Sequence, residues 1–76
     1  MGYVVIMNKF YIAVDEDGKE YLYGCMPKRI HYRGKNFWTV HQDARVMFLS
    51  KGTVESILGR SLTWADEPVE VKLKVA

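Results

Sequence analysis

The sequence predicts a small α+β domain, mostly β, with elements in the order ββββαβ. Two architectures satisfy that order: a five-stranded antiparallel sheet covered by one short helix, or a small SH3-like half-barrel with its helical turn before the last strand. Three observations predict it. Aromatic and β-branched runs flank Asp15-Glu16-Asp17-Gly18, the pattern of a hairpin. Val54, Ile57 and Leu58, followed by Gly59, shift the apolar period from two to that of a helix. From Val69 to Val75 the residues alternate strictly, apolar at odd numbers and charged at even ones, as in a strand with one buried face.

The first hairpin joins Lys9–Val14 to Glu20–Tyr23. A type I turn over Asp15 to Gly18, with Gly18 left-handed in a bulge, sets Asp15 opposite Lys19, Ile12 opposite Leu22 and Tyr11 opposite Tyr23. A two-residue turn would oppose Asp15 to Glu20, a like-charge pair, so the first register is expected. Phe10, Ile12, Val14 and Leu22 then share a core face. Tyr11, Tyr21 and Tyr23 share the other, which is half-buried or serves as a protein-interaction face. Pro27 ends the second strand because it has no N–H for a ladder. Residues 28–35 read as a connection closed by Gly34. A third strand is expected over 36–41 and a fourth over 45–49. Ser50 is a good N-cap for a helix over 51–58, and Gly59 suits its C-terminal end. At about two turns this helix needs to dock on the sheet to persist. Trp64 is expected to close one end of the core.

With 76 residues and a formal net charge of +2, the chain is read as a single domain over 1–76. Met7 is a candidate start, so residues 1–6 are expected to be a dispensable leader. A domain of this size buries only about 60–65% of its unfolded surface. A substrate pocket of roughly 300–1,000 Å³ would hollow out that core, so no enzymatic activity is expected. Cys25 is the one cysteine, which excludes an intramolecular disulfide and fits a small buried hydrophobe. No apolar run approaches the ~20 residues of a membrane span, and a cytoplasmic location is expected.

The hairpin Tyr11-Ile12-Ala13-Val14-Asp15-Glu16-Asp17-Gly18, then Tyr21-Leu22-Tyr23, Pro27, Arg29 and Trp38, and finally Leu62-Thr63-Trp64-Ala65-Asp66-Glu67-Pro68-Val69 resemble a group of short uncharacterised proteins. These belong to gut-type bacteria and their phages and mobile elements. The resemblance covers residues 7–75 and implies no catalytic residue and no cofactor.

Charge placement supplies the remaining candidates. Residues 26–45 carry five basic side chains against one acidic, a net +4, and the rest of the chain sums to −2. Lys28, Arg29, Arg33 and Lys35, interleaved with Tyr32 and Trp38, are the candidate residues for binding single-stranded nucleic acid, cations holding phosphates and rings stacking on bases. The bland alternative is a solvated loop with Trp38 in the core. Cys25, His31, His41 and Asp43 match no spacing of zinc ligands, and Asp15 to Gly18 lacks the ligand pattern of a calcium loop, so no metal is expected. The expected role is an interaction module of a phage or mobile element, binding a protein partner or a second copy through edge strands. The alternative is the nucleic-acid-binding domain.

Overall fold

The computed structural model describes residues 6–75, with side chains described for 9–72. The expected leader lies outside the described residues except for Ile6, which opens the first strand. Six strands and one helix follow: β1 (Ile6–Val14), β2 (Glu20–Tyr23), β3 (Lys28–Tyr32), β4 (Lys35–Thr39), β5 (Val46–Leu49), α1 (Thr53–Leu58) and β6 (Val69–Val75).

The strands form two antiparallel sheets, one of four strands in the order β5-β2-β1-β6 and one hairpin, β3-β4. This corrects the expected five-stranded sheet. Among the described residues the strands do not close into a barrel; β5 and β6 are free edges. The β1-β2 register is the expected one, with Tyr11 opposite Tyr23 and Ile12 opposite Leu22. The Asp15 N–H donates to the Lys19 carbonyl at 2.9 Å, and Gly18 takes the left-handed φ of 89° that the bulge requires.

The largest departure is at residues 28–35. Instead of a connection they form β3 and a two-residue turn, Arg33-Gly34, that pairs Tyr32 with Lys35. Both turn residues have positive φ, 52° and 75°, as a type I′ turn demands. Arginine is an unusual occupant of the first position, and every residue of β3 is exposed, so neither a turn signal nor a burial pattern marks the strand.

Each face of the four-stranded sheet carries its own core. On one, Ile12 and Val14 pack with Val54 of α1 and with Leu62, flanked by Leu22, Leu49, Leu58, Val69 and Val71. Full burial of Ile12 or Val54 stabilises by about 1.5–3 kcal/mol each. On the other, Ala13, Tyr23 and Trp38 pack with Tyr11, Tyr21, Val40 and Trp64. The tyrosine face is therefore a second core roofed by β4. The helix contributes less than its apolar stripe promised, because Ile57 points to solvent and Val54 and Leu58 face inward.

The start of α1 also differs. Gly52, not Ser50, is the N-cap, at φ 93°, and has no side chain to cap with. Glu20 of β2 does the capping from across the sheet. Its two carboxylate oxygens accept the Gly52 N–H at 2.8 Å and the Val54 N–H at 2.7 Å. Val14 pairs with Glu20, so the carboxylate shares the face of Ile12 and Val14, where it is 8% exposed. A buried carboxylate is tolerated there because helix N–H groups that would otherwise lack partners satisfy it.

Candidate functional site

Arg29 stands at the centre of the basic candidates, and the fold uses it internally. Its guanidinium carbon lies 4.6 Å from the Trp38 ring centre and 5.3 Å from that of Trp64. One nitrogen donates to the Glu67 carboxylate at 2.7 Å, and the other donates to the carbonyls of Trp64 and Asp66 at 2.8 and 2.9 Å. Those carbonyls are presented by a turn that the sequence builds for itself. The Asp66 carboxylate accepts the Thr63 N–H at 2.7 Å, and the Asp66 N–H donates to the Thr63 carbonyl at 3.0 Å. The Thr-Trp-Ala-Asp-Glu segment thus closes on a cation from β3, tying the hairpin to the approach to β6.

Trp38 is 6% exposed, its indole N–H donating to the Val14 carbonyl at 2.9 Å and its backbone N–H to Asp15 at 3.4 Å. It offers no surface for stacking a base. Trp64, half-buried, packs on Trp38 with ring centres 5.1 Å apart. Partial burial raises the Asp15 carboxyl above its ordinary range, an effect partly offset by the Trp38 N–H. Burial likewise pushes the Tyr23 phenol well above its ordinary value, with the Asp15 charge adding to it.

The other basic candidates part company with Arg29. In the β3-β4 register Arg29 pairs with Trp38 and His31 with Asn36, so these share the face turned to the sheet. Lys28, Ile30 and Tyr32 alternate with them and, with Lys35, occupy the outward face. Tyr32 is 59% exposed, with the Arg33 guanidinium 5.3 Å from its ring centre. Of the six nucleic-acid candidates, Lys28, Tyr32, Arg33 and Lys35 are exposed, Arg29 is exposed but its guanidinium is committed to Glu67 and two carbonyls, and Trp38 is buried. Of the interaction-face tyrosines, Tyr23 is buried, and Tyr11 and Tyr21 are half-buried.

The most open apolar surface lies where the sequence reading placed only a fourth strand. In β5, Val46, Met47 and Phe48 are 51%, 58% and 62% exposed, and the strand has no charged side chain. Its backbone phase is set by neighbouring bonds. The Gly24 N–H donates to the Arg45 carbonyl at 2.8 Å, extending the ladder in which Leu22 faces Met47 and Glu20 faces Leu49. Hydrogen-bonded pairs alternate along such a ladder, so the N–H and C=O groups of Val46 and Phe48 point away from β2. Phe48 packs edge-on to Tyr21 at 5.6 Å on one side and has an open flank on the other.

Three acidic side chains are committed to the fold. Both oxygens of Glu20 cap α1, Asp66 holds its own turn, and Glu16 accepts from Asn36 at 2.8 Å. Cys25, His41 and Asp43 border one shallow cleft, whereas His31 is bonded to Asn36 on the hairpin. Among the described residues no three His, Cys, Asp or Glu side chains converge as metal ligands, and no helix is long and apolar enough to cross a membrane. Neither Glu20 nor the β5 edge is singled out by the sequence alone. The one available signal was an apolar strand without a charge, Val46 to Leu49, next to a sheet whose other edge is charged at alternate positions. No family model matches the chain, and neither a curated protein nor a solved structure matches it.

Proposed function

We propose that the protein is a non-enzymatic interaction module that takes up a protein partner by strand addition at β5. The observation that carries this reading is the exposure of Val46, Met47 and Phe48 on an uncharged free edge. The opposite edge argues by contrast: β6 bears Glu70 and Lys72, and charged side chains discourage pairing with another chain. Strand addition draws affinity from main-chain hydrogen bonds and specificity from alternate side chains. The setting proposed for the module is a phage or other mobile element of a bacterium.

The test is selection of extended peptides from a displayed library on the immobilised protein, with a Val46→Pro variant as the parallel bait. Proline removes an outward-facing N–H and leaves the β2 ladder intact. Enrichment of apolar peptides on the parent and its loss on the variant is the expected result. Equal enrichment on both baits would reject the edge as the docking site.

A second reading is favoured by one observation, the outward face of β3-β4, where exposed Tyr32 stands with Lys28, Arg33 and Lys35. It is a surface for single-stranded nucleic acid. Three phosphate contacts at about −0.7 each give a slope near −2 in log K against log salt. Fluorescence anisotropy with labelled single strands at near-physiological salt tests it, and the absence of binding at ~100 μM protein, beyond the usual non-specific range, rejects it.

A further inference from the structure

We propose that the occupant of the β5 edge is a second copy of this chain, paired antiparallel about a two-fold axis through Met47, so that two four-stranded sheets become one of eight strands. This rests on the strand-addition reading above and names its partner.

The backbone phase supplies the first argument. Residues of β2 bond alternately to their two neighbours. The Asp15–Lys19 bond assigns odd-numbered residues to β1, and the Gly24–Arg45 bond assigns even-numbered ones to β5. In β5 the outward groups therefore belong to Val46 and Phe48. A two-fold pair must match outward groups with outward groups and keep side chains of one face together. Setting Val46 opposite Phe48 of the second copy, Phe48 opposite its Val46, and Met47 opposite its Met47 meets both conditions. Four main-chain hydrogen bonds close across the junction.

Side-chain rows supply the second. Existing cross-strand pairs run Ala13–Tyr21–Phe48 and Tyr11–Tyr23–Val46 on one face and Ile12–Leu22–Met47 on the other. The two-fold axis joins Phe48 to Val46 of the second copy and so continues the first row into its Tyr23 and Tyr11. On the other face Met47 meets Met47, continuing into the second Leu22 and Ile12. Every row that crosses the junction is apolar or aromatic, the pairing that stabilises sheets.

Coverage of the exposed residues selects this register over its in-phase neighbours. Centred on Met47, the exposed Val46, Met47 and Phe48 pair wholly with one another, all within the strand. Centred on Phe48, Val46 would stand opposite Ser50 of the second copy, beyond the end of the strand. Centred on Val46, Leu49 would stand opposite Asp43 and Phe48 opposite Ala44, beyond the end of the strand. In the Met47-centred register the exposed patch is covered by its own copy, residue for residue.

The interface is short, and a Kd of about 1–100 μM is expected for one at the small end of specific contacts. Sedimentation velocity from about 5 μM to 1 mM, a range chosen to bracket that affinity, reads it directly. The parent should move from monomer to dimer across this range. Val46→Pro loses one outward donor per copy and should weaken the dimer at least about tenfold, with Val46→Ala much closer to the parent. Met47→Lys sets two ammonium groups face to face on the axis and should do the same through charge alone. It keeps the proposal testable if the proline variant fails to fold, which a thermal melt reveals. A parent that stays monomeric at 1 mM, or a dimer unchanged in both variants, overturns the second copy as occupant. In that event the peptide selection still decides whether β5 takes a different partner, so the two readings fail separately.

Discussion

Glu20→Gln is the substitution whose cost follows most directly from the geometry. The glutamate gives one oxygen to the Gly52 N–H and the other to the Val54 N–H. Glutamine has the same shape and only one acceptor. Whichever way its amide turns, an NH₂ faces a backbone N–H, and flipping merely exchanges the victim. If the amide oxygen keeps Val54, the donor left without a partner is that of Gly52, which is part-buried and partly replaces its bond with water. A buried donor stranded without an acceptor costs about 1–3 kcal/mol, and the remaining bond falls from charge-assisted to neutral strength, roughly half. Removing the negative charge from the first turn of α1 adds about 0.3–1 kcal/mol. A total near 2–4 kcal/mol is expected, a large share of the roughly 5 kcal/mol typical of small domains. Urea unfolding followed by far-ultraviolet circular dichroism measures it, with Glu20→Ala as the companion, expected to cost at least as much. A Glu20→Gln midpoint within about 0.5 kcal/mol of the parent would refute the double cap, since surface substitutions fall in that range.

Arg29→Lys keeps the charge but cannot reach Glu67 and two carbonyls while lying over two indoles. A loss of about 1–3 kcal/mol is expected, seen as a fall in Tm of several degrees, and an unchanged melt would show that the guanidinium geometry is immaterial. Arg33→Asn places a residue that tolerates left-handed φ in the β3-β4 turn and should raise stability by up to about 1 kcal/mol in the same assay; a lower Tm would contradict the turn assignment. Asp15→Asn removes a carboxylate that burial disfavours while keeping an acceptor for Trp38. The folded state holds the Asp15 proton more tightly than the unfolded one, so this group's penalty is present at neutral pH and relieved as pH falls through the raised value towards 3.8. The variant's Tm advantage over the parent should therefore shrink from pH 7 to pH 4, and an advantage independent of pH would argue against the shift.

How much of this was readable in advance depended on whether the determinants were local. The β1-β2 register was legible because Asp15, Gly18 and Lys19 settle it within a few residues. The end of α1 at Gly59 and the alternation of β6 were legible for the same reason. β3 was hidden because its lysine, arginine and histidine look like a solvated loop and its turn uses an arginine at positive φ. The cap of α1 was misassigned to Ser50 because cap rules inspect adjacent residues, and the acceptor lies on β2. Arg29 was read as a free cation because its partners Trp64, Asp66 and Glu67 are distant in the chain. The β5 edge could be read as a strand but not as an edge, since strand order is set by long-range pairing.

The pairing of β1 with β6 joins the first described strand to the last, Ile6 standing opposite Val75. β1, β2 and β5 are hydrogen-bonded neighbours without β6, so they can pair before it docks. Until then β1 has a bare flank of its own, and Val69 and Val71 are missing from the core beside Ile12. The partly formed sheet thus presents β1 as an edge where the finished one presents a charged β6, and the interval before β6 docks is when the chain is most exposed to sticking to its neighbours. Glu70 and Lys72 of β6 then act as a closing seam: the strand both completes the sheet and covers the flank that β1 would otherwise leave open.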